Sequence, residues 1–182
     1  MLRGVETKRE SGVTTGLQRV FGVDPGTVAL GYGVIESQGE THRAVGYGVL
    51  RASRTAALED RLLKLYQQLL ETLDQWQPTA LAVEEPFVGG NPQTSLSVGR
   101  AQAIVLLAAR QRGISVTRYA PAEVKGTVTD YGRGSKEQVN LVVRRMLGIA
   151  EPVPTDAADA LAVALCHLWS RSRLAGLQEL RR

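Results

Sequence analysis

The chain has 182 residues, of which 43% are hydrophobic and 22% are charged, the balance of a soluble globular domain. Its 22 Lys and Arg residues exceed the 18 Asp and Glu residues, a mild excess that is compatible with nucleic acid binding but does not indicate it. One cysteine excludes an internal disulfide and favours a reducing compartment. No stretch approaches the roughly 18 apolar residues of a membrane span, so we expect a cytoplasmic protein without membrane contact.

The chain opens with a polar segment, residues 1–18, that lacks the apolar region of a secretory signal and is expected to be a flexible extension. Short segments of apolar and small residues follow at 19–24, 31–36 and 44–51. They predict three strands, and the short turns between them favour an antiparallel meander.

A helix is predicted over residues 58–76, where leucines recur at 3.6-residue spacing. The apolar segment 80–84 then predicts a strand that is buried on both faces and parallel to a neighbour. The remaining elements in chain order are a helix at 93–112, a strand at 115–119, and helices at 121–129, 135–147 and 155–173.

This order predicts one α/β domain, residues 19–173, built on a mixed five-stranded sheet flanked by helices. The basic residues 174–182 are expected to form a C-terminal tail.

Two acids stand at the carboxyl ends of predicted strands, where ligands bind in open α/β sheets. Asp24 ends the first strand and Glu84 ends the fourth. Each interrupts an apolar segment, where an unpaired charge is costly. A plain Asp-Pro-Gly turn would equally account for Asp24, whereas Glu84 stands beside a second acid, Glu85.

Two more acids, Asp156 and Asp159, stand three residues apart at the start of the last helix and share one face. Acids in a first turn also stabilise a helix through its dipole, so the pair alone does not indicate a site. The small neighbours Ala157, Ala158 and Ala160 would let this helix approach the sheet closely and bring both acids near the strand ends.

Acids that converge in this way need a counter-charge, and hard divalent cations such as Mg²⁺ or Mn²⁺ prefer oxygen ligands. Two such ions in one active site can clamp the attacking and leaving oxygens of a phosphodiester. The two histidines, His42 and His167, are far apart in sequence, so nothing in the pattern indicates a zinc site.

Four motifs, in order across residues 19–168, resemble the RuvC family of Holliday junction resolvases. They are Phe21-Gly-Val-Asp24-Pro-Gly26, Gly31-Tyr-Gly-Val34, Val83-Glu84-Glu-Pro-Phe87 and Asp156-Ala-Ala-Asp159-Ala-Leu-Ala162. The resemblance implies an RNase H-like fold, a homodimer, and paired symmetric nicks in two strands of four-way junction DNA. It also implies Mg²⁺ or Mn²⁺ and cooperation with the RuvA and RuvB branch-migration proteins.

By position, the resemblance implies that Asp24, Glu84, Asp156 and Asp159 are the catalytic, metal-binding acids. It implies that Phe87 stacks on bases at the junction and that Lys125 and Lys136 lie near the scissile phosphate. Without the family, Phe87 would as readily be a core residue, and the lysines would be solvated helix residues.

Three other functions are compatible with parts of this sequence pattern. An RNA-processing nuclease of the YqgF type shares the fold but should lack the stacking Phe87. An actin-like or sugar-kinase-like ATPase also has an Asp-x-Gly-Thr loop but needs two lobes and a longer chain. An inactive junction-binding protein would not need four intact acids.

Two features depart from the family pattern or lie outside it: the extension 1–18 and the loop 88–93, which bears on cleavage sequence preference. For the homodimer, the small and apolar residues of the helix 93–112 predict a dimer face that comprises Val98, Ala101, Gln102, Val105 and Ala109.

Overall fold

The fold is known from a computed structural model that describes residues 16–86, 91–128 and 136–179. The first half holds β1 (Gln18–Asp24), β2 (Ala29–Gln38), β3 (Thr41–Arg51), α1 (Leu58–Trp76) and β4 (Ala80–Glu84). The second half holds α2 (Pro92–Gln111), β5 (Ser115–Tyr119), α3 (Pro121–Val128), α4 (Lys136–Met146) and α5 (Thr155–Glu179).

The strands form one sheet in the order β3-β2-β1-β4-β5. The first three strands are antiparallel neighbours, whereas β4 runs parallel to β1 and β5 runs parallel to β4. The predicted meander, the parallel return through α1 and the mixed five-stranded sheet are therefore confirmed.

Each face of the sheet carries its own core, because side chains alternate along a strand. Phe21 and Val23 of β1 pack with buried leucines of α1 and with α2 on one face. Val20 of the same strand packs with α5 on the other. The leucine stripe of α1 lies inside, at Leu65 and Leu69, as its spacing predicts.

Helix α5 lies unusually close to the sheet because glycines face it. A Cβ added at Gly22 would lie 2.0 Å from the carbonyl oxygen of Ala160, and one at Gly33 would lie 2.6 Å from the Leu161 side chain. The alanines of α5 are buried at this contact, as the sequence predicts, and they allow the helix backbone to touch the strands.

The dimer face predicted on α2 is wrong in its residues. Ala101, Val105 and Ala109 are fully buried within the domain, and Val105 and Ala109 belong to the core between the sheet and α1. The opposite face of α2 carries Leu96 and Leu107, which are 56% and 62% exposed. Periodicity located the apolar face correctly but could not say whether the domain itself covers it.

Two boundaries differ from the prediction. Helix α5 ends at Glu179 rather than near Arg173, so most of the predicted tail is helical. Most residues of this predicted tail are good helix formers. A single glycine, Gly176, weakens a helix without ending it. At the other end, Gln18 already pairs with Ser37, so the extension is shorter than predicted, and residues 1–15 lie outside the described residues.

None of the helices in the described part of the chain combines the length and apolarity needed to cross a bilayer. The single cysteine, Cys166, is buried in α5, and its sulfur accepts a hydrogen bond from the Thr127 hydroxyl at 3.3 Å. This thiol therefore has a packing role in the core.

Candidate active site

Asp24 and Glu84 end adjacent parallel strands at the same edge of the sheet. Val23 of β1 pairs with Val83 of β4, and each acid is the next residue along its strand. The parallel pairing therefore carries both carboxylates to one place, as their strand-end positions predict.

The two acids also point to the same face of the sheet. Gly22 faces α5, and Ala82 belongs to the core on that side. Side chains two residues apart in a strand share a face, so Asp24 and Glu84 both turn toward α5.

Helix α5 brings the third carboxylate, Asp159, to this edge. Asp159 precedes Ala160, whose carbonyl covers Gly22, two residues before Asp24 in β1. One cavity of about 970 Å³ is lined by Asp24, Glu84 and Asp159 together, and all three acids are half-buried. The structure therefore brings together three of the four predicted acids.

Lys125 of α3 lines the same cavity and is exposed at its rim, so a cation stands beside the three acids.

Asp156 is half-buried at the start of α5 and is not among the residues that line the cavity. Phe87 falls outside the described residues. Lys136 begins α4, and its side chain is likewise outside the described part of the chain.

The cavity has a second polar side that the sequence reasoning missed. Asn91, Thr94 and Ser95, at the N-terminal end of α2, also line it. Asn91 is the N-cap of this helix, and its side-chain oxygen accepts a hydrogen bond from the Gln93 N–H at 2.9 Å. Asn-Pro before a helix is a recognisable capping signal, so this end of α2 could have been placed from the sequence.

Three hydrogen bonds hold the segments that follow the strand acids. The Gln102 side chain donates to the Glu84 carbonyl at 3.2 Å, and the Glu85 N–H donates to the Tyr119 carbonyl at 2.8 Å. Beyond Asp24, the Thr27 hydroxyl lies 3.1 Å from the Ser97 hydroxyl. Nothing in the sequence pattern links these residues, which are far apart along the chain.

A buried polar pair lies beyond the cavity lining. The Tyr119 hydroxyl and His167 Nδ1 are 3.0 Å apart. Burial, and secondarily the charge of Arg171, lowers the pKa of His167 to about 4. Burial raises the pKa of Tyr119. Both side chains are therefore neutral near pH 7, and they join β5 to α5 without adding charge near the acids.

The donor set fits a hard divalent cation, because all three converging ligands are carboxylates. Among the described residues, however, no group of three or more Asp, Glu, His or Cys side chains is arranged tightly enough to hold an ion. The carboxylates would therefore have to move closer together to hold a bound ion.

Comparison with known proteins adds an independent result. The family model described as crossover junction endodeoxyribonuclease RuvC matches residues 20–167. A relative of that description from Dehalococcoides mccartyi is 45% identical over 150 residues, 82% of this chain and 91% of the relative. Another, from Thermomicrobium roseum, is 45% identical over 161 residues, 88% of this chain and 98% of the relative.

Among solved structures, T. thermophilus RuvC in complex with a Holliday junction substrate matches with a TM-score of 0.79 and 34% identity. The match covers 87% of this chain and 97% of that one. The RNase H-like fold is thereby confirmed, and the resolvase interpretation is supported over the YqgF type. The family is one of metal-dependent nucleases. This chain belongs to the RuvC family of crossover junction endodeoxyribonucleases.

Proposed function

We propose that this chain nicks two strands of a four-way DNA junction at symmetric positions, and that Asp24, Glu84 and Asp159 form its catalytic centre. The observation that carries the proposal is the single cavity that these three acids line with Lys125. Each acid comes from a different element, β1, β4 or α5, and carboxylates that share a site disfavour one another's charged form unless an opposite charge balances them.

Asp24, Glu84 and Asp159 would hold two Mg²⁺ or Mn²⁺ ions, with Asp156 as a peripheral ligand at the start of α5. When bound, such ions stabilise the charge that develops on a phosphodiester undergoing hydrolysis. The carboxylates would set the positions of the ions. Because these side chains are half-buried, bulk water would compete less for the same ions. The products would be a free 3′ hydroxyl and a 5′ phosphate, which a ligase can reseal.

The basic and aromatic residues would position the DNA. Lys125, which is exposed beside the acids, would neutralise a backbone phosphate, and Lys136 at the start of α4 would do the same. Phe87 would stack on an unpaired base, a contact worth about 1–3 kcal/mol. Because phosphate contacts release counterions, junction affinity should fall steeply with salt.

A homodimer would place one such centre on each cut strand, in keeping with the twofold symmetry of the substrate. The exposed face of α2 is our candidate for the contact, because Leu96, Ala103 and Leu107 recur along it at helical spacing. Such a stripe on a water-facing helix is typical of a subunit contact. Cooperation of this chain with the RuvA and RuvB proteins is also part of the proposal, and family membership is its only support.

The catalytic unit would comprise residues 19–173, with the N-terminal extension outside it. The match to the family begins at residue 20, which supports this division. Removal of residues 1–15 should therefore leave junction cleavage unchanged.

The test is cleavage of a synthetic four-way junction with end-labelled strands, with Mg²⁺ or Mn²⁺, by wild type and by Asp24→Asn. We expect symmetric nicks that ligase reseals from wild type, and junction binding without cleavage from the variant. Asp60→Asn, which changes an exposed acid of α1, is the matched control and should cleave like wild type.

Duplex DNA and single-stranded RNA of the same sequence are the competing substrates. Cleavage of RNA without cleavage of junctions would overturn the proposal and restore the YqgF-type alternative. If Asp24→Asn cleaved junctions at the wild-type rate, the junction activity would stand, but the proposed catalytic centre would be wrong.

A further inference from the structure

We propose that α2 sets the positions of Glu84 and Asp24 through two polar contacts, and that Gln102, Ser97 and Thr27 are positioning residues for cleavage. None of the three lines the cavity, so they would act through the two acids rather than on DNA. The inference rests on the proposed function, because it concerns the same catalytic centre.

The first contact holds the peptide group that joins Glu84 to Glu85. Its carbonyl accepts from the half-buried Gln102 side chain at 3.2 Å. Its N–H donates to the Tyr119 carbonyl at 2.8 Å. The same peptide plane is thus fixed from both sides, and the plane in turn fixes the direction in which the Glu84 side chain leaves the strand.

The second contact holds the turn that follows Asp24. The Thr27 hydroxyl, in a residue only 8% exposed, lies 3.1 Å from the Ser97 hydroxyl. The turn folds back closely on itself, because a Cβ at Gly26 would lie 2.3 Å from the Ala29 carbonyl oxygen. Fixing Thr27 therefore constrains Asp24, three residues earlier.

Both contacts originate on one helix, five residues or about 7.5 Å apart along its axis. A helix moves as a rigid body, so α2 fixes the spacing between the Asp24 turn and the end of β4. Carboxylates that close on a cation gain most when they start near the required geometry, since misplacement by an ångström is costly to the rate. Loss of either contact should slow cleavage while junction affinity stays unchanged.

The first experiment compares Gln102→Met with wild type. Methionine keeps the length and volume of glutamine but removes the amide donor. We expect single-turnover cleavage of a synthetic four-way junction to slow roughly five- to tenfold, the effect of one ordinary hydrogen bond. The dissociation constant for the junction should not change. Gln67→Met, on the exposed face of α1, is the matched control and should cleave like wild type.

A readout without metal or DNA separates positioning from other effects. In Gln102→Met, amide hydrogen exchange across residues 80–86 should be faster than in wild type, and exchange across the buried part of α5 should be unchanged. Local opening at the end of β4 produces this difference, whereas general destabilisation would speed exchange in both segments.

The Thr27 contact is tested by restoring the hydroxyl. Thr27→Val removes it at constant shape and should slow cleavage, and Thr27→Ser should regain most of the rate. Ser97 is the partner of Thr27. In a double-mutant cycle, adding Ser97→Ala to Thr27→Val should therefore lower the cleavage rate little further.

Wild-type rates in both Gln102→Met and Thr27→Val would overturn the inference while the proposed function stands, because the wild-type enzyme still cuts junctions. Equal losses of cleavage rate and junction affinity would also overturn it, since they indicate a general structural role. Failure of wild type to cut any junction would instead refute the proposed function itself.

Discussion

Gly31 of β2 lies directly beneath the backbone carbonyl of Asp156, since a Cβ at Gly31 would be 2.0 Å from that oxygen. Gly31 is also the antiparallel partner of Asp24. The first turn of α5 is therefore pressed onto the strand pair that ends in Asp24. This contact explains why an acid of α5, Asp159, can share a cavity with acids at the ends of two strands.

Gly31→Ala should displace the start of α5, because the Asp156 carbonyl leaves no room for a methyl group at this position. Overpacking of this kind costs about 1–3 kcal/mol, and the displacement should also move Asp159 away from Asp24. We expect a lower free energy of unfolding in urea and a cleavage rate that falls further than the loss of folded protein explains.

The matched control is Gly126→Ala, since a Cβ at that helical position meets nothing within 4 Å. Replacing a helical glycine by alanine should raise the free energy of unfolding by about 0.5–1 kcal/mol. If Gly31→Ala were as stable as wild type, the strands could move to make room for the methyl group. Close packing would then not set the position of Asp159.

The elements and the strand-end positions of Asp24 and Glu84 follow from local patterns, whereas the convergence of the acids is expected mainly from the family resemblance, and the glycines that permit it are not recognised. Leucine spacing predicts α1, and the apolar run with a terminal acid predicts β4 and the place of Glu84. In the sequence, Gly22, Gly31 and Gly33 are merely small residues in strands where apolar and polar residues alternate. Their role depends on α5, which comes much later in the chain, and periodicity carries no information about that neighbour.

The same limit explains the misplaced dimer face. The apolar face of α2 is visible in the sequence, but whether it is covered by the domain or by a second copy depends on packing. Gln102 illustrates the difference: the sequence suggested a contact with a second subunit, whereas the structure has its amide on the Glu84 carbonyl.

The two acids of α5 should differ in importance. Asp159 lines the cavity and Asp156 does not, so Asp159→Asn should lower the cleavage rate by at least about a hundredfold, the loss of a few kcal/mol of transition-state stabilisation. Asp156→Asn should have the smaller effect. Single-turnover cleavage at saturating protein measures both, and equal losses would place Asp156 in the centre as well.

The exposed face of α2 should carry the subunit contact. Leu107→Glu puts a charge at the most exposed leucine of the apolar stripe, where burial in an interface is unfavourable, so the protein should become monomeric with its thermal unfolding midpoint little changed. Light scattering after size-exclusion chromatography measures the mass. Leu141→Glu, at a 46% exposed leucine of α4, is the matched control, and a dimeric Leu107→Glu would exclude this face.

Stability should fall between neutral and mildly acidic pH because of His167. This residue is 4% exposed, and no described residue accepts a hydrogen bond from its Nε2. Burial lowers its pKa to about 4 in the folded protein, against 6.5 for a free histidine. Below 6.5 the unfolded chain therefore binds more protons than the folded one. Stability is lost as pH falls from about 6.5 toward 4, and the loss levels off below that.

Between about pH 7 and pH 5 the loss should be roughly 2 kcal/mol in the free energy of unfolding. His167→Gln keeps an acceptor for the Tyr119 hydroxyl but cannot titrate, so its stability should be nearly flat over this range. Glu36→Gln is the control. Hydrogen bonds from Arg19 and Arg43 lower the pKa of Glu36, so its contribution is lost only below this window. Between about pH 7 and pH 5 that variant should be less stable than wild type yet keep the wild-type slope. A wild-type slope in His167→Gln would assign the pH dependence to other groups.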